Sequence, residues 1–212
     1  MDYLLNNPGD VLALVWQHVV ITAIALGVSF AIALPLGFIL YRFPRLQTPV
    51  MGVLGILYTI PSIALMILLL PILGLNSRSV IVALIVYCQV ILVRNVLAGL
   101  NGIDPAVIEA ARGMGMTSWQ QAWRVLLPLA FPVIIAGVRI ATVVAVAIAT
   151  VGARFNGGGL GTLLFDGIAQ ARLDKIWAGA ITVGVLALSL NLLIGLTERR
   201  VVRWTSVTMT RI

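Results

Sequence analysis

The sequence is poor in charge. Only 10% of its 212 residues are Asp, Glu, Lys or Arg, while 61% are hydrophobic and the mean hydropathy is +1.10. That poverty excludes an ordinary soluble domain and fits a bundle of membrane-spanning helices. Acid is scarcer than base, with seven Asp and Glu against 14 Lys and Arg. The apolar runs contain no paired carboxylates, and no nucleophile–base arrangement is apparent, so the chain is not expected to be an enzyme. A single histidine and a single cysteine leave no Cys/His cluster for a metal, and one cysteine forms no intrachain disulfide. Cys88 lies within an apolar run and reads as a buried bystander; His18, at the mouth of the first run, reads as interfacial. The net charge of +7 comes from arginines placed singly or in pairs beside apolar runs. No basic stripe forms, and no nucleic-acid partner is expected. The N-terminus has Asp2 and Asp10 and no basic segment, so the first run is expected to be a retained span.

What is present is five apolar runs of about the 20 residues that cross a bilayer. They lie near 19–40, 50–73, 77–93, 128–152 and 176–196, giving one membrane domain over 1–212 with an all-α, polytopic fold. The third run is short, and Arg94 can extend it by snorkelling. In the second run, Pro61 within "YTIPS" removes a backbone hydrogen bond, as does Pro71, so a kink or break is expected at Pro61. With five spans the termini lie on opposite sides. A cytoplasmic C-terminus puts Arg42, Arg45, Arg94, Arg112, Arg124, Arg199, Arg200, Arg203 and Arg211 inside. It leaves only Arg78, Arg154, Arg172 and Lys175 outside. The positive-inside rule therefore predicts N-out, C-in, with 94–127 as a cytoplasmic loop and 153–175 as an outer, glycine-rich loop.

The 94–127 segment reads as two short helices joined by an elbow. Asp104 followed by Pro105 is an N-cap and a first helical residue. Either Gly113 or Gly115 can end that helix, and Thr117 with Gln120 forms a capping box that opens a second one running toward Leu127. Helical spacing allows Val107, Ile108 and Ala111 to share a face, and Trp119, Trp123 and Leu126 or Leu127 to share another. Two readings fit: an interfacial hairpin lying on the headgroups, or a knob presented to a partner protein.

The stretch "EAARGMGMTSWQQAWRVLLP" resembles the EAA loop of ABC-importer permeases. Glu109, Ala110, Ala111, Gly115, Leu127 and Pro128 stand at the pattern's fixed places, and Val125 replaces its isoleucine. The resemblance implies a MetI-like permease fold whose loop forms coupling helices, docked into a cleft of an ATP-binding subunit. Ala110 and Ala111 would then allow close approach, Gly115 would make the elbow, and Glu109 would supply a polar contact. Trp119 would belong to the same docking surface. Glu109 also suits an ordinary pair with Arg112 on one helix. The family further implies two ATP-binding subunits that use ATP and Mg, a second permease subunit, an extracytoplasmic solute-binding protein and a bacterial plasma or inner membrane. No cofactor is expected on this chain, and membrane lipid surrounds it.

The resemblance extends over nearly the whole chain. "LYTIPSIALMILLLPILGL" and "GGGLG" are most similar to permeases of the osmoprotectant branch, which carry glycine betaine, choline, carnitine and related quaternary amines. Methionine-importer permeases are the nearest alternative, and a scaffold or small channel without an ATPase is a third. One departure stands out: "ARFNGGGLG" places Arg154, Phe155 and Asn156 where relatives have small apolar residues. A cation there would oppose a quaternary ammonium if it lined the pathway; it can instead pair with Asp166 or Asp174, or face the binding protein.

Several residues are candidates for the pathway or a gate: Pro61, Arg139, Asn156, Gly158, Gly159 and Gly161. The glycines have no following Gly-Lys-Ser/Thr and are read as a flexible re-entrant turn, serving as a gate or as packing. Leu160, Leu163, Leu164 and Ile168 follow at helical spacing and predict a short helix. Arg139, within the fourth run, is either a structural anchor or a pathway residue. Asn191 in the last run is expected to hydrogen-bond between helices.

Overall fold

A computed structural model describes residues 2–209, with side chains described for residues 3–198. The side chains of Arg199, Arg200, Arg203 and Arg211, counted above toward orientation, lie outside the described residues. Regular structure among the described residues is helical. The short α1 (Asp2–Asn6) leads into α2 (Pro8–Arg42), whose first residue is a proline with no N–H to leave unsatisfied. A one-turn 3₁₀ segment (Pro44–Leu46) precedes α3 (Gln47–Thr59) and α4 (Ser62–Leu73). Then come α5 (Ser77–Asn101), α6 (Pro105–Gly113), α7 (Ser118–Gln121), a π-turn (Ala122–Leu126) and α8 (Leu127–Gly152). After a further 3₁₀ turn, α9 (Gly161–Ala169) and α10 (Leu173–Met209) complete the described residues.

Four helical stretches are long and apolar enough to cross a membrane, and the pair α3–α4, bent by 94°, makes a fifth if it is one broken span. The helices outrun the apolar runs. Hydrogen bonding propagates the α2 helix back through His18, Gln17 and Asp10 to Pro8, and the third run continues past Val93 through Arg94 and Asn95 to Asn101. Asn95 stays in the helix because its amide donates to the Ile91 carbonyl at 2.8 Å, one turn back.

The second loop helix expected after Thr117 is not a separate element. Helix runs without interruption from Ser118 to Phe155, 38 residues, so the elbow feeds directly into the fourth span. The π-turn makes this possible. Pro128 has no N–H and its ring crowds the carbonyl one turn back; widening the preceding turn relieves that, with the Leu127 N–H bonding Ala122 O.

The central helix is α5, with 61% of its most apolar window buried; the corresponding figure for α10 is 11%. Small residues bring its neighbours close. A Cβ on Gly99 would lie 2.9 Å from the Ala130 carbonyl oxygen, and one on Gly152 would strike Val80. Without a hydrophobic force between helices in lipid, such close packing supplies the association energy. Buried Leu84, Cys88, Leu92, Ala141 and Ala145 form the core between α5 and α8, closed by Ala25 and Ala33 of α2. Cys88 is a core residue, as its apolar context indicated.

Candidate functional site

The elbow is built from local chemistry. Asp104 Oδ1 accepts the Ala106 N–H at 2.9 Å and starts α6 at Pro105. The helix ends in a Schellman motif: Gly115 N–H bonds Arg112 O at 2.9 Å, and Met116 N–H bonds Ala111 O at 3.2 Å. Of the two glycines able to end it, Gly115 adopts the left-handed conformation, with φ of +74°. The Thr117–Gln120 capping box forms both of its bonds, at 3.3 and 2.9 Å.

The inner side of this elbow is seated and the outer side is bare. Ile108 packs on the buried cluster Val96, Leu100, Leu126, Ala130 and Ile134, and Ala111 is buried. Val107, expected on the same face, is exposed. Its position is one helical step, about 100°, from Ile108, which carries it to the rim. Glu109, Ala110, Arg112, Gly115 and Pro128 are exposed, and Met114 and Trp119 are 74% and 71% exposed. The ion pairs among the described residues are Arg139–Glu198 and Arg172–Asp174, so Glu109 and Arg112 do not neutralise each other. Trp119 and Trp123 meet edge to face at 5.4 Å. Val125 and Leu127 are half-buried and set the base of the helix, while Leu126 between them is the buried residue.

The outer turn is the opposite case. Gly158 and Gly159 have φ of +77° and +81°, and Asn156 is also left-handed at +56°. The Gly159 N–H donates to Gln17 Oε1 at 3.2 Å, and the Leu160 N–H to His18 Nδ1 at 3.3 Å. With Nδ1 accepting, Nε2 carries the imidazole proton and donates to Val146 O at 3.2 Å. His18 is therefore 1% exposed and not interfacial: it ties α2, the glycine turn and α8 together. A Cβ on Gly159 would come within 2.9 Å of that imidazole, and one on Gly161 would collide with the Thr150 carbonyl. A flexible turn is thus not what these glycines make. They are small because the turn is sealed, and α9 follows as the expected short helix, with Leu163 buried. Asn156 is exposed, its amide reaching Leu75 O at 3.4 Å.

Arg154 is exposed and belongs to neither ion pair, so it is bound to neither Asp166 nor Asp174. Asp174 instead takes two bonds from Arg172, at 2.6 and 3.2 Å. Those hydrogen bonds and the guanidinium charge hold its carboxyl below the ordinary carboxylate range. The same cation lies over the Tyr3 ring at 5.7 Å, with Lys175 at 5.2 Å, pinning α1 to this end.

Within the bundle, Arg139 Nε donates to Asn191 Oδ1 at 2.6 Å, and its Nη1 meets Glu198 at 3.3 Å. This couples α8 to α10, giving Arg139 the anchoring contacts and Asn191 the interhelical role expected of it. The carboxylate partner, Glu198, lies 59 positions away, and no local sequence signal points to it. At Pro61 the chain breaks: Ile60 has ψ of 126°, and its freed carbonyl accepts the Tyr87 hydroxyl. The Tyr58 ring packs on Tyr87 at 5.7 Å. Tyr87 thus satisfies a carbonyl that the break at Ile60 left without a helical partner, the condition for irregular backbone at membrane depth.

Comparison with known proteins agrees with this architecture. Residues 23–203 match the family model described as "binding-protein-dependent transport system inner membrane component". The chain is 38% identical over 195 residues to the carnitine transport permease protein OpuCB of Listeria monocytogenes, covering 92% of this chain and 89% of that one. It is 35% identical to the glycine betaine/carnitine/choline transport system permease protein OpuCB of Bacillus subtilis, covering 95% and 93%. To the osmoprotectant import permease protein OsmW of Salmonella typhimurium it is 37% identical, covering 92% and 93%. Among solved structures, a chain of the inward-facing MetNI methionine ABC transporter superposes with a TM-score of 0.81. It is 25% identical, and the match covers 88% of this chain and 94% of that one. A broken second span whose freed carbonyl is capped by Tyr87, an elbow running into the fourth span and this likeness over nearly the full length converge. The chain belongs to the binding-protein-dependent inner-membrane components, the non-enzymatic multi-pass permease subunits of ABC importers, which work with separate ATP-binding subunits and a substrate-binding protein.

Proposed function

We propose that this permease forms, with a second permease subunit, the import pathway for a quaternary amine osmoprotectant such as glycine betaine, carnitine or choline. The relatives named for these solutes, 35–38% identical over more than nine-tenths of the chain, support the cargo. The methionine transporter shares the fold at lower identity and supports the methionine alternative less. The elbow docks into two cytoplasmic ATP-binding subunits that use ATP and Mg, one for each permease. Glu109, Ala110, Gly115 and Trp119 face the cleft. Ala111, buried on the elbow's inner side, seats it on the bundle and is not free for close approach to a partner, and Val125, Leu127 and Pro128 set the lever behind them. The observation that carries this is the elbow's bare outer side, with Glu109 in no ion pair among the described residues, joined to a helix continuous with a span. A movement at residue 118 is therefore delivered along 38 residues of one rod, about 57 Å.

The N-terminus is outside and the C-terminus cytoplasmic. Arg42 and Arg112 line one pocket, which supports a shared, positive inner end for α2 and the elbow. The whole chain, 1–212, acts as one membrane domain, with 94–127 cytoplasmic and 153–175 outside. Arg154 faces the binding protein at the outer surface, where its exposed cation does not oppose a cationic solute inside the bundle. Pro61 shapes the pathway through the broken span, while Gly158, Gly159 and Gly161 hold the outer closure. Transport is by alternating access: closure of the ATPases moves the elbow and tips the bundle.

The test is ATP-driven import in vesicles holding the assembled complex and its binding protein. Radiolabelled glycine betaine, carnitine and choline should accumulate. Accumulation of methionine, with no betaine uptake or competition, would assign the alternative cargo.

A further inference from the structure

Beside the elbow is a slot to which the transport reading assigns no occupant, though Trp119 and Leu127 border it. The last turns of α2, through Leu34, Phe38 and Ile39, face Trp119, Ala122 and Trp123 across a space of about 440 Å³. Its lining is apolar, so it is no place for ordered water, which needs polar partners. A second pocket of about 430 Å³ lies across Phe38 and Ala122, which belong to both; it is lined by Arg42 and Arg112 together with Tyr41 and Gln121. Neither lining includes a carboxylate.

The chemistry of these neighbours selects an occupant. Leu34 to Ile39 lie three to eight residues before Arg42, the last residue of α2. At the helical rise that is about 4–12 Å along the axis, the depth over which a bilayer passes from headgroup to upper acyl chain. Ile39, Trp119 and Trp123 are exposed at the slot, and tryptophan favours that interface. A ligand filling both pockets must be apolar at one end and anionic at the other, because two guanidinium groups without a carboxylate are uncompensated. We propose that the slot holds one acyl chain of an anionic phospholipid whose phosphate-bearing headgroup lies over Arg42 and Arg112. The lipid would sit between α2 and the root of the elbow, a bound component of the permease.

The intact importer complex is loaded from nanodiscs of equal phosphatidylglycerol and phosphatidylcholine, and lipids retained after detergent extraction are measured by native mass spectrometry. Wild type should retain phosphatidylglycerol in preference. Arg42→Gln and Arg112→Gln should each lower the ratio of the two lipids about fivefold, the effect of removing one basic residue from a membrane surface. Arg42→Lys should keep most of the preference, and Leu34→Trp, which fills the slot, should abolish retention of either lipid. Retention indifferent to headgroup charge, or unchanged in Leu34→Trp, would overturn the proposal. So would a Leu34→Trp complex that keeps its lipid and loses its ATP-binding subunit, since the slot would then belong to the protein partner.

Discussion

Two glycine turns stand at opposite ends of this bundle and use glycine for opposite reasons. At Gly115 a Cβ would meet nothing within 4 Å, so the residue is required only for its left-handed backbone. At Gly159 the backbone is equally left-handed, but the imidazole of His18 fills the space where a side chain would stand. The first turn has spare surface and the second has none. The Gly115 turn is stabilised from within, by a Schellman motif and a capping box, and leaves its outer side free. The Gly159 turn is stabilised by distant residues and is enclosed by them. The same composition, glycines beside short helices, therefore makes an open turn at one end and a sealed turn at the other, and the proposed coupling role rests on the open one.

Substitutions that separate surface from packing sharpen this contrast. The largest functional effect is expected from Gly115→Asp. Carrying an unpaired carboxylate into a protein cleft costs several kcal/mol, so docking should fall by about a hundredfold or more. Membrane levels should hold, because nothing in the permease is displaced. Normal ATP-driven uptake by this variant would break the comparison. Gly159→Ala should act in the reverse sense. Crowding and left-handed strain together cost about 2–4 kcal/mol, seen as a lower melting temperature and reduced membrane level. Gly115→Ala, facing open space, should lose only about 1–2 kcal/mol, for strain alone. Equal destabilisation of the two alanine variants would show that packing does not distinguish the turns.

A smaller effect is expected away from both turns. Asn191→Leu removes a hydrogen bond from the Arg139 guanidinium and should cost about 1–2 kcal/mol in detergent thermal melts, less than a fully buried pair because Arg139 is partly exposed. Asp174→Asn should have the least effect and the most specific signature. The Asp174 carboxyl is held below its ordinary value by Arg172 in the folded state. Its contribution is thus full above the ordinary carboxylate value and is lost as pH falls through the lowered one. Wild type and variant should converge in stability at acid pH and differ slightly at neutral pH; a difference that grows on acidification would reverse the assigned sign.

The contrast also explains what could be read from the sequence. The elbow was legible because its determinants are neighbours: Asp104 with Ala106, Thr117 with Gln120, Gly115 three residues past Arg112. Pro61 likewise announced its break, since a proline acts on its own turn. What closes each feature was not legible. His18 bonds groups 128 and 142 residues away, and Tyr87 reaches a carbonyl 27 residues back. Glu198 meets Arg139 across 59 positions. A lone histidine or tyrosine near an apolar run has the same local appearance whether it faces lipid, interface or core. The helices extend beyond the apolar runs for a related reason. Apolar runs mark the lipid-facing portion, whereas hydrogen bonding carried α2 back to Pro8 and joined the elbow to α8.

The most direct measurement is photocrosslinking from the elbow in the assembled importer, using Met114→Cys labelled with a thiol-reactive benzophenone. Met114 is exposed beside Gly115, and the native cysteine, Cys88, is buried, so the permease, labelled before assembly, carries the label at one site. The expected adduct is with the ATP-binding subunit, at a yield that changes when ATP is added. Adducts confined to lipid or to the extracytoplasmic binding protein would contradict the elbow's role as the point where the motor holds the permease.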